Sequence, residues 1–259
     1  NHSSLLNIEH AAENALLLNC CRALVHNSAM PNDALVNIDW NYLLHRAQQH
    51  GISPLVFRSL KAFRDEAELP LEVLEKLKKA CMKALIVNMK LLETYVSICD
   101  TFRDERIPLF PYKGISFVGS LYPAIDLRPM TDIDILIKKS DVPRAAETIG
   151  RMGFHSIPHN ILFRDRHFHL AFIRQIKQCP LVVELHWHVD FAGTPFSLRI
   201  EDVWDRARQH SPSRPNVYTM DIYDNLLLNL YHLLRDPTQH KVMPLKNCVD
   251  IALLINNHR

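Results

Sequence analysis

From Met130 to Ile137 the chain alternates in a way that only a β-strand satisfies. Side chains on a strand change sides with a period of two, so Asp132, Asp134 and Leu136 share one face and Ile133, Ile135 and Ile137 the other. A strand with one wholly aliphatic face must be buried on that side, which anchors it in a core. The opposite face then presents two carboxylates together at the strand's start, where a divalent metal can bridge them. The plainer alternative is a solvated edge or a turn in which the aspartates cap backbone donors, and context has to separate the two.

Upstream, Ile107-Pro108-Leu109-Phe110-Pro111-Tyr112 reads as a short apolar strand that ends at Lys113-Gly114, and Ile115 to Leu121 as one or two helical turns. Free amides at a helix start beside the Lys113 ammonium suit a phosphate. A competing register makes Gly119-Ser120 the phosphate turn. It requires Phe110 to Val118 to be one strand with Pro111 and Gly114 inside it, and both are poor strand interiors. In the favoured register Ser120 is a structural helix residue. Arg128 lies just before the paired aspartates, where its guanidinium can clamp a phosphate bidentately. The alternative for it is a salt bridge to Asp126 or Asp132.

Downstream, Leu181 to His188 alternates again and places Glu184, His186 and His188 on one face, so a third carboxylate is available. Trp187, on the other face, is most simply core. The neighbouring run His167-Phe168-His169 opens a strand through Ile173 that pairs with Val182 to Val189 across an Arg174–Pro180 turn. Two His-x-His pairs with Glu184 would make a zinc or iron site. That histidine-rich reading leaves Asp132, Asp134, Lys113 and Arg128 without a role. His186, in the Glu184 row, is placed to orient a carboxylate or a phosphate.

Flanking these strands, the spacings are helical. Leu5 to Val25 repeats apolar residues every three or four positions, Asp39 opens a run that stops at Gly51, and Leu71 to Phe102 carries one broad apolar stripe. The residues 64–68 read as an exposed connection. Ser140 to Pro143 caps a helix that ends at Gly153, and Phe154 to Ile157 is the next strand. Helices are expected over Ile200–Gln209, Asp221–Arg235 and Leu245–Asn256. This divides the chain into an N-terminal helical region 1–106, a strand-bearing core 107–199 and a C-terminal helical region 200–259 that closes a cleft.

A formal net charge of +2 supplies no basic footprint, which disfavours long nucleic acids as partners. Six cysteines without a Cys-x-x-Cys pair read as reduced thiols, the opening residues carry no signal-peptide pattern, and no apolar run reaches the length of a membrane span. A cytoplasmic protein without membrane contact is the expectation.

Strand, Lys-Gly, short helix, Tyr-Pro, Arg, Asp-Ile-Asp-Ile-Leu-Ile and the later Val-Glu-Leu-His-Trp together resemble the bacterial, still uncharacterised nucleotidyltransferases of the polymerase-β-type superfamily. The resemblance covers roughly residues 35–259 and is sharpest over 107–190. It implies an α+β fold, with a small mixed sheet flanked by helices and an NTP lying against a glycine turn. By position, Asp132, Asp134 and Glu184 match the three catalytic carboxylates that hold two magnesium or manganese ions, and Lys113-Gly114 matches the glycine turn, with Arg128 at the phosphates. The implied reaction moves an NMP from the NTP co-substrate to an acceptor hydroxyl and releases pyrophosphate. Since the charge disfavours long nucleic acid, a small-molecule or peptide or protein acceptor is expected; His232, Arg235, His240, Lys246 and Asp250 of the C-terminal helices could line the cleft and touch the base or ribose, the plainer alternative for each being ordinary surface. A protein that binds nucleotide or a partner without turnover is the alternative in the same fold.

Overall fold

Asp39 behaves as a helix cap should: its Oδ1 accepts from the amides of Asn41 and Tyr42 at 3.0 and 3.1 Å, satisfying two donors that a helix start leaves open. In the computed structural model, which describes residues 10–31, 35–62, 69–158, 168–176, 179–188, 199–235 and 243–258, the N-terminal spacings become four helices. These are α1 (Ala11–His26), α2 (Trp40–Gln49), α3 (Ser53–Ala62) and α4 (Leu71–Asp104). Gly51 ends α2 at φ +67°, and a Cβ there would meet the Lys246 side chain at 2.8 Å. The expected connection 64–68 lies outside the described residues.

The residues cluster into two units. One comprises Asn1–Ile86, Leu121–Pro129 and Leu233–Arg259, the other Val87–Ser120 and Met130–His232. The division therefore does not follow three consecutive segments of sequence, and α4 belongs partly to each. In the first unit Leu16, Leu17 and Cys20 of α1, Leu43 and Ala47 of α2, and Val56 and Leu60 of α3 form a buried core together with Val249 and Leu253 of α9 (Leu245–Asn256).

The second unit carries the sheet. Its strands are β1 (Leu109–Tyr112), β2 (Ile133–Ile137), β3 (His155–Ser156), β4 (His169–Ile176), β5 (Cys179–His186), β6 (Arg208–Ser211) and β7 (Arg214–Thr219). They lie in the order β3-β4-β5-β2-β1-β7-β6. The sheet is mixed: β2 runs parallel to β5 and β1 parallel to β7, while β1–β2, β3–β4, β4–β5 and β6–β7 are antiparallel. Ile133, Ile135 and Ile137 are completely buried, as the alternation of β2 requires. On the other face Phe110, Tyr112 and Leu136 pack with Ile200 and Val203 of α7 (Ile200–Asp205), Met220, and Leu228 of α8 (Ile222–Arg235). Both faces of β2 are thus covered, which fixes its register firmly.

Three expectations are corrected here. The helix expected over Ile200–Gln209 stops at Asp205, and the hairpin β6–β7 follows, turning at Pro212-Ser213. The ends of the expected Arg174–Pro180 turn, 174–176 and 179–180, are instead strand, since Arg174 pairs with Leu181, Gln175 with Pro180 and Ile176 with Cys179, while 177 and 178 lie outside the described residues. Pro180 is tolerated because β5 pairs with β2 only from Val183 onward, so no inner ladder requires its missing N–H. The helix expected over Ile115–Leu121 is a single turn, α5 (Gly114–Phe117). The helix α6 (Val142–Arg151) and its Gly153 stop, at φ +83°, stand as expected. No helix among the described residues is long and apolar enough to cross a membrane.

Candidate active site

Three adjacent strands build the site in rows. Asp134 lies between Tyr112 of β1 and Glu184 of β5, and in the next row Leu136 lies between Phe110 and His186. On its other side His186 faces His169 of β4. Asp134 and Glu184 are therefore direct cross-strand neighbours of like charge, an arrangement that costs free energy unless something positive joins them.

Lys113 and His186 supply that join. Lys113 Nζ lies 2.7 Å from Asp134 Oδ1, His186 Nε2 lies 2.8 Å from the same oxygen, and His186 Nε2 is 3.2 Å from Glu184 Oε2. Asp134 is only 3% exposed. Burial by itself would raise its carboxyl, but the Lys113 ammonium and the His186 hydrogen bond overcome burial and hold it well below the usual carboxylate range. Glu184 is also held below its ordinary value, burial being outweighed mainly by the His186 hydrogen bond. For Lys113, burial would lower the ammonium and Asp134 more than restores it, so it stays above its ordinary value.

Asp132 sits at the mouth of β2 and accepts from Thr131 Oγ1 at 3.2 Å. It has no cation so close. Burial, then the charges of Asp134 and Glu184, push its carboxyl up to about 6. Asp132 therefore feels the charges of Asp134 and Glu184, but it is not among the residues whose ligand atoms lie within 4.8 Å of one another, which are Asp134, Glu184 and His186.

The chain reaches Lys113 through a strained turn. Its φ of 50° and ψ of −129° lie in a region that side-chain-bearing residues avoid, at a cost on the order of 1–3 kcal/mol. Lys113, and not Gly114, absorbs the left-handed conformation. Gly114 is buried and begins α5, whose Ser116 Oγ donates to the Lys113 carbonyl at 2.7 Å. Gly119, at φ +84°, lies with Ser120 in the turn after α5, so Ser120 is not the helix residue expected. Its hydroxyl donates to the Ser116 carbonyl at 2.6 Å. The strand from Phe110 to Val118 that the second register requires is not formed, because β1 ends at Tyr112.

Arg128 differs from expectation. Its Nε and Nη2 grip Asp250 at 2.8 and 2.7 Å, and Tyr122 Oη donates to Asp250 at 2.8 Å, all three residues being buried within the first unit. The bidentate fork meant for a phosphate is committed to a carboxylate from α9, a partner that sequence proximity to Asp126 or Asp132 did not suggest. Asp250 is likewise spent in this pair and not offered to a base or ribose. His167 and His240 lie outside the described residues. Among those described, the group whose ligand atoms all fall within 4.8 Å of one another is Asp134, Glu184 and His186, not a pool of histidines. One supporting residue escaped sequence reasoning: Asn88 of α4, fully buried, accepts from the Met130 amide at 3.1 Å and so anchors the chain two residues before Asp132. Its signal was a polar residue within the apolar stripe.

Asp132 just before β2 and Asp134 within it thus stand beside a third acid, Glu184, on the parallel neighbour β5, next to the turn that carries Lys113. Residues 37–259 match the family of uncharacterised nucleotidyltransferases, and the chain belongs to that family. It is a nucleotidyltransferase by that membership. Two solved structures are similar to it. One is the solution structure of the antibiotic-resistance factor ANT(2'')-Ia, with a TM-score of 0.44, 14% identity, and 66% of this chain and 86% of that one covered. The other is ANT(2")-Ia in complex with adenylyl-2"-tobramycin, with a TM-score of 0.42, 14% identity, and 65% and 89% covered. No curated protein matches in sequence.

Proposed function

We propose that the protein transfers an NMP from an NTP to the hydroxyl of a compact acceptor and that Asp132, Asp134 and Glu184 hold the divalent ions this requires. The observation that supports the reading is the cross-strand pair Asp134–Glu184, whose ligand atoms lie within 4.8 Å of each other and of His186, with the Lys113 ammonium on Asp134 and with Asp132, pushed up to about 6, two residues before Asp134. The donor set fits a hard cation of the magnesium or manganese class, since it offers carboxylate oxygens from two rigid strands. When bound, such ions neutralise charge on the α-phosphate and on the attacking oxygen.

Each residue then has a task. The acceptor oxygen forms a bond to the α-phosphorus while the bond to the β-phosphate oxygen breaks, and pyrophosphate leaves with that electron pair. Glu184, whose side chain keeps 23% of its surface open, takes the proton of the acceptor hydroxyl. Lys113 and the first amides of α5 hold the β- and γ-phosphates and stabilise the leaving group. Arg128 is left out of this set, because Asp250 already occupies its fork. A net charge of +2 supports a small molecule or a peptide as acceptor over long nucleic acid, whose affinity rests on many cationic contacts.

The test supplies each of the four NTPs, labelled at the α-phosphate, with magnesium or manganese and fractionated cell extract. Label should move to one small or peptidic fraction with stoichiometric pyrophosphate, and Glu184→Gln should abolish it. Tight nucleotide binding without transfer to any fraction would favour a nucleotide-sensing protein instead.

A further inference from the structure

Two side chains compete for one oxygen of Asp134, and the consequence falls on His186. With Lys113 Nζ at 2.7 Å and His186 Nε2 at 2.8 Å, both lone pairs of Oδ1 are engaged, so Oδ2 is the oxygen Asp134 can present to an ion. The same His186 Nε2 lies 3.2 Å from Glu184 Oε2, which leaves Oε1 as that residue's presenting oxygen. We propose that His186 is a positioning residue whose single Nε2–H, shared between Asp134 and Glu184, fixes the separation and rotamers of the two carboxylates and thereby sets how tightly the site takes a divalent cation. The proposal rests on the reading above that these carboxylates hold the metal.

The alternative of His186 as a direct nitrogen ligand is disfavoured by its other nitrogen. Nδ1 is buried and has no hydrogen-bond partner among the described residues. Ligation through Nε2 would move the ring proton to Nδ1 and create a buried N–H without an acceptor, which costs about 1–3 kcal/mol. A histidine that ligates a metal normally gives that second N–H to an oxygen. With two carboxylate oxygens before Nε2 and nothing before Nδ1, the proton is assigned to Nε2. The ring has little freedom to do otherwise. Its centroid is 5.6 Å from Tyr112 in an edge contact, 5.1 Å from His169 and 6.0 Å from Phe168, and the residue is 2% exposed. Without the bridge, Asp134 and Glu184 stand opposed on adjacent strands with nothing between them but the ammonium bound to one, and repulsion turns them apart.

The experiment measures Mn2+ binding to the whole purified chain by the electron paramagnetic resonance of free Mn2+, together with nitrogen coupling to the bound ion. His186→Phe keeps the aromatic packing and removes the donor; His186→Gln keeps an amide N–H of similar reach. Phe should weaken Mn2+ about 10–100-fold, the usual effect of losing an outer-shell partner, and Gln should recover most of it. In turnover, the metal KM should rise in His186→Phe while kcat at saturating metal is largely kept, a split that a merely structural role would not produce. Unfolding of each variant in the same buffer reports whether it is folded, and the Gln variant carries the test should Phe fail to fold. Wild-type affinity in His186→Phe alongside lost affinity in Asp134→Asn would overturn the positioning role and leave the metal site standing. Imidazole nitrogen coupling in the wild type would overturn it in favour of direct ligation. Absence of Mn2+ binding to the wild type would overturn both this inference and the carboxylate reading beneath it.

Discussion

Removing the acid at the head of β2 should stabilise the metal-free protein, an unusual outcome for a partly buried residue. Asp132 is pushed up to about 6 by burial, and then by the Asp134 and Glu184 charges. In the unfolded chain it returns to about 3.9. Between roughly pH 4 and pH 6 the folded protein holds a proton that the unfolded chain has released, so stability falls as pH rises through this window and stays low above it. Two pH units at 1.36 kcal/mol each give a ceiling of about 3 kcal/mol, and the partial solvent access of Asp132 reduces this to about 1–2 kcal/mol. For a chain of this size that is roughly 2–8 °C in melting temperature.

The assay is thermal unfolding of wild type and Asp132→Asn in EDTA at about pH 3.5 and about pH 7.5, either side of the window. Asn should raise the midpoint at the higher pH and change it little at the lower. A divalent ion should reverse the order at the higher pH, since it stabilises the wild type by mass action and binds Asp132→Asn less well. An unchanged or lowered midpoint at the higher pH, or an equal gain at both, would refute the electrostatic account.

Asp134→Asn should behave oppositely. Its carboxyl is held below the usual range, so its contribution is present at neutral pH and lost as pH falls through the acid region; the variant should lose about 3 kcal/mol by urea unfolding and all transfer activity. Gly114→Val should abolish the thermal shift given by NTP, because a branched side chain would crowd the start of α5, whereas Ser120→Ala, which loses only hydroxyl bonds to the Ser116 and Phe117 carbonyls, should keep it; reversed sensitivities would make Gly119-Ser120 the phosphate turn. Arg128→Met should cost about 3–5 kcal/mol by stranding buried Asp250, and Arg128→Met with Asp250→Leu should recover most of it if the pair is structural. Binding of transfer RNA should be weak at physiological salt, measured by filter retention, and tight binding would redirect the search for an acceptor to RNA.

What sequence alone could reach was set by the range of the interaction involved. The face of Asp132 and Asp134, the burial of Ile133, Ile135 and Ile137, and the same-face placement of Glu184 and His186 follow from a period of two, which is local. That Asp134 and Glu184 are opposite one another is not local; it depends on β2 and β5 running parallel across a gap of about fifty residues. Arg128 shows the same limit, since its partner Asp250 is 122 positions away and no spacing rule connects them. Of the β6–β7 hairpin, only Arg208 and Gln209 fall within the helix expected over Ile200–Gln209, and the pairing of β6 with β7 and of β7 with β1 is a tertiary effect outside local spacing. Lys113 at positive φ was hidden by the adjacent glycine, which sequence rules nominate for such a conformation.

Several unfavourable features of the second unit lie close together. A lysine in strained backbone, two like charges opposed across strands and an acid pushed up to about 6 all fall within the turn after β1 and the paired ends of β2 and β5. Around that place Ile133, Ile135, Ile137, Val183 and Leu185 are fully buried. Each strained element would be removed by a simple change, Lys113→Gly for the backbone or Asp132→Asn for the charge, so folding does not require them. Rules of local consistency are broken where a site needs geometry that folding would not choose. In this chain several of these breaks meet at Asp134, which bonds to the strained lysine and to His186 and stands opposite Glu184.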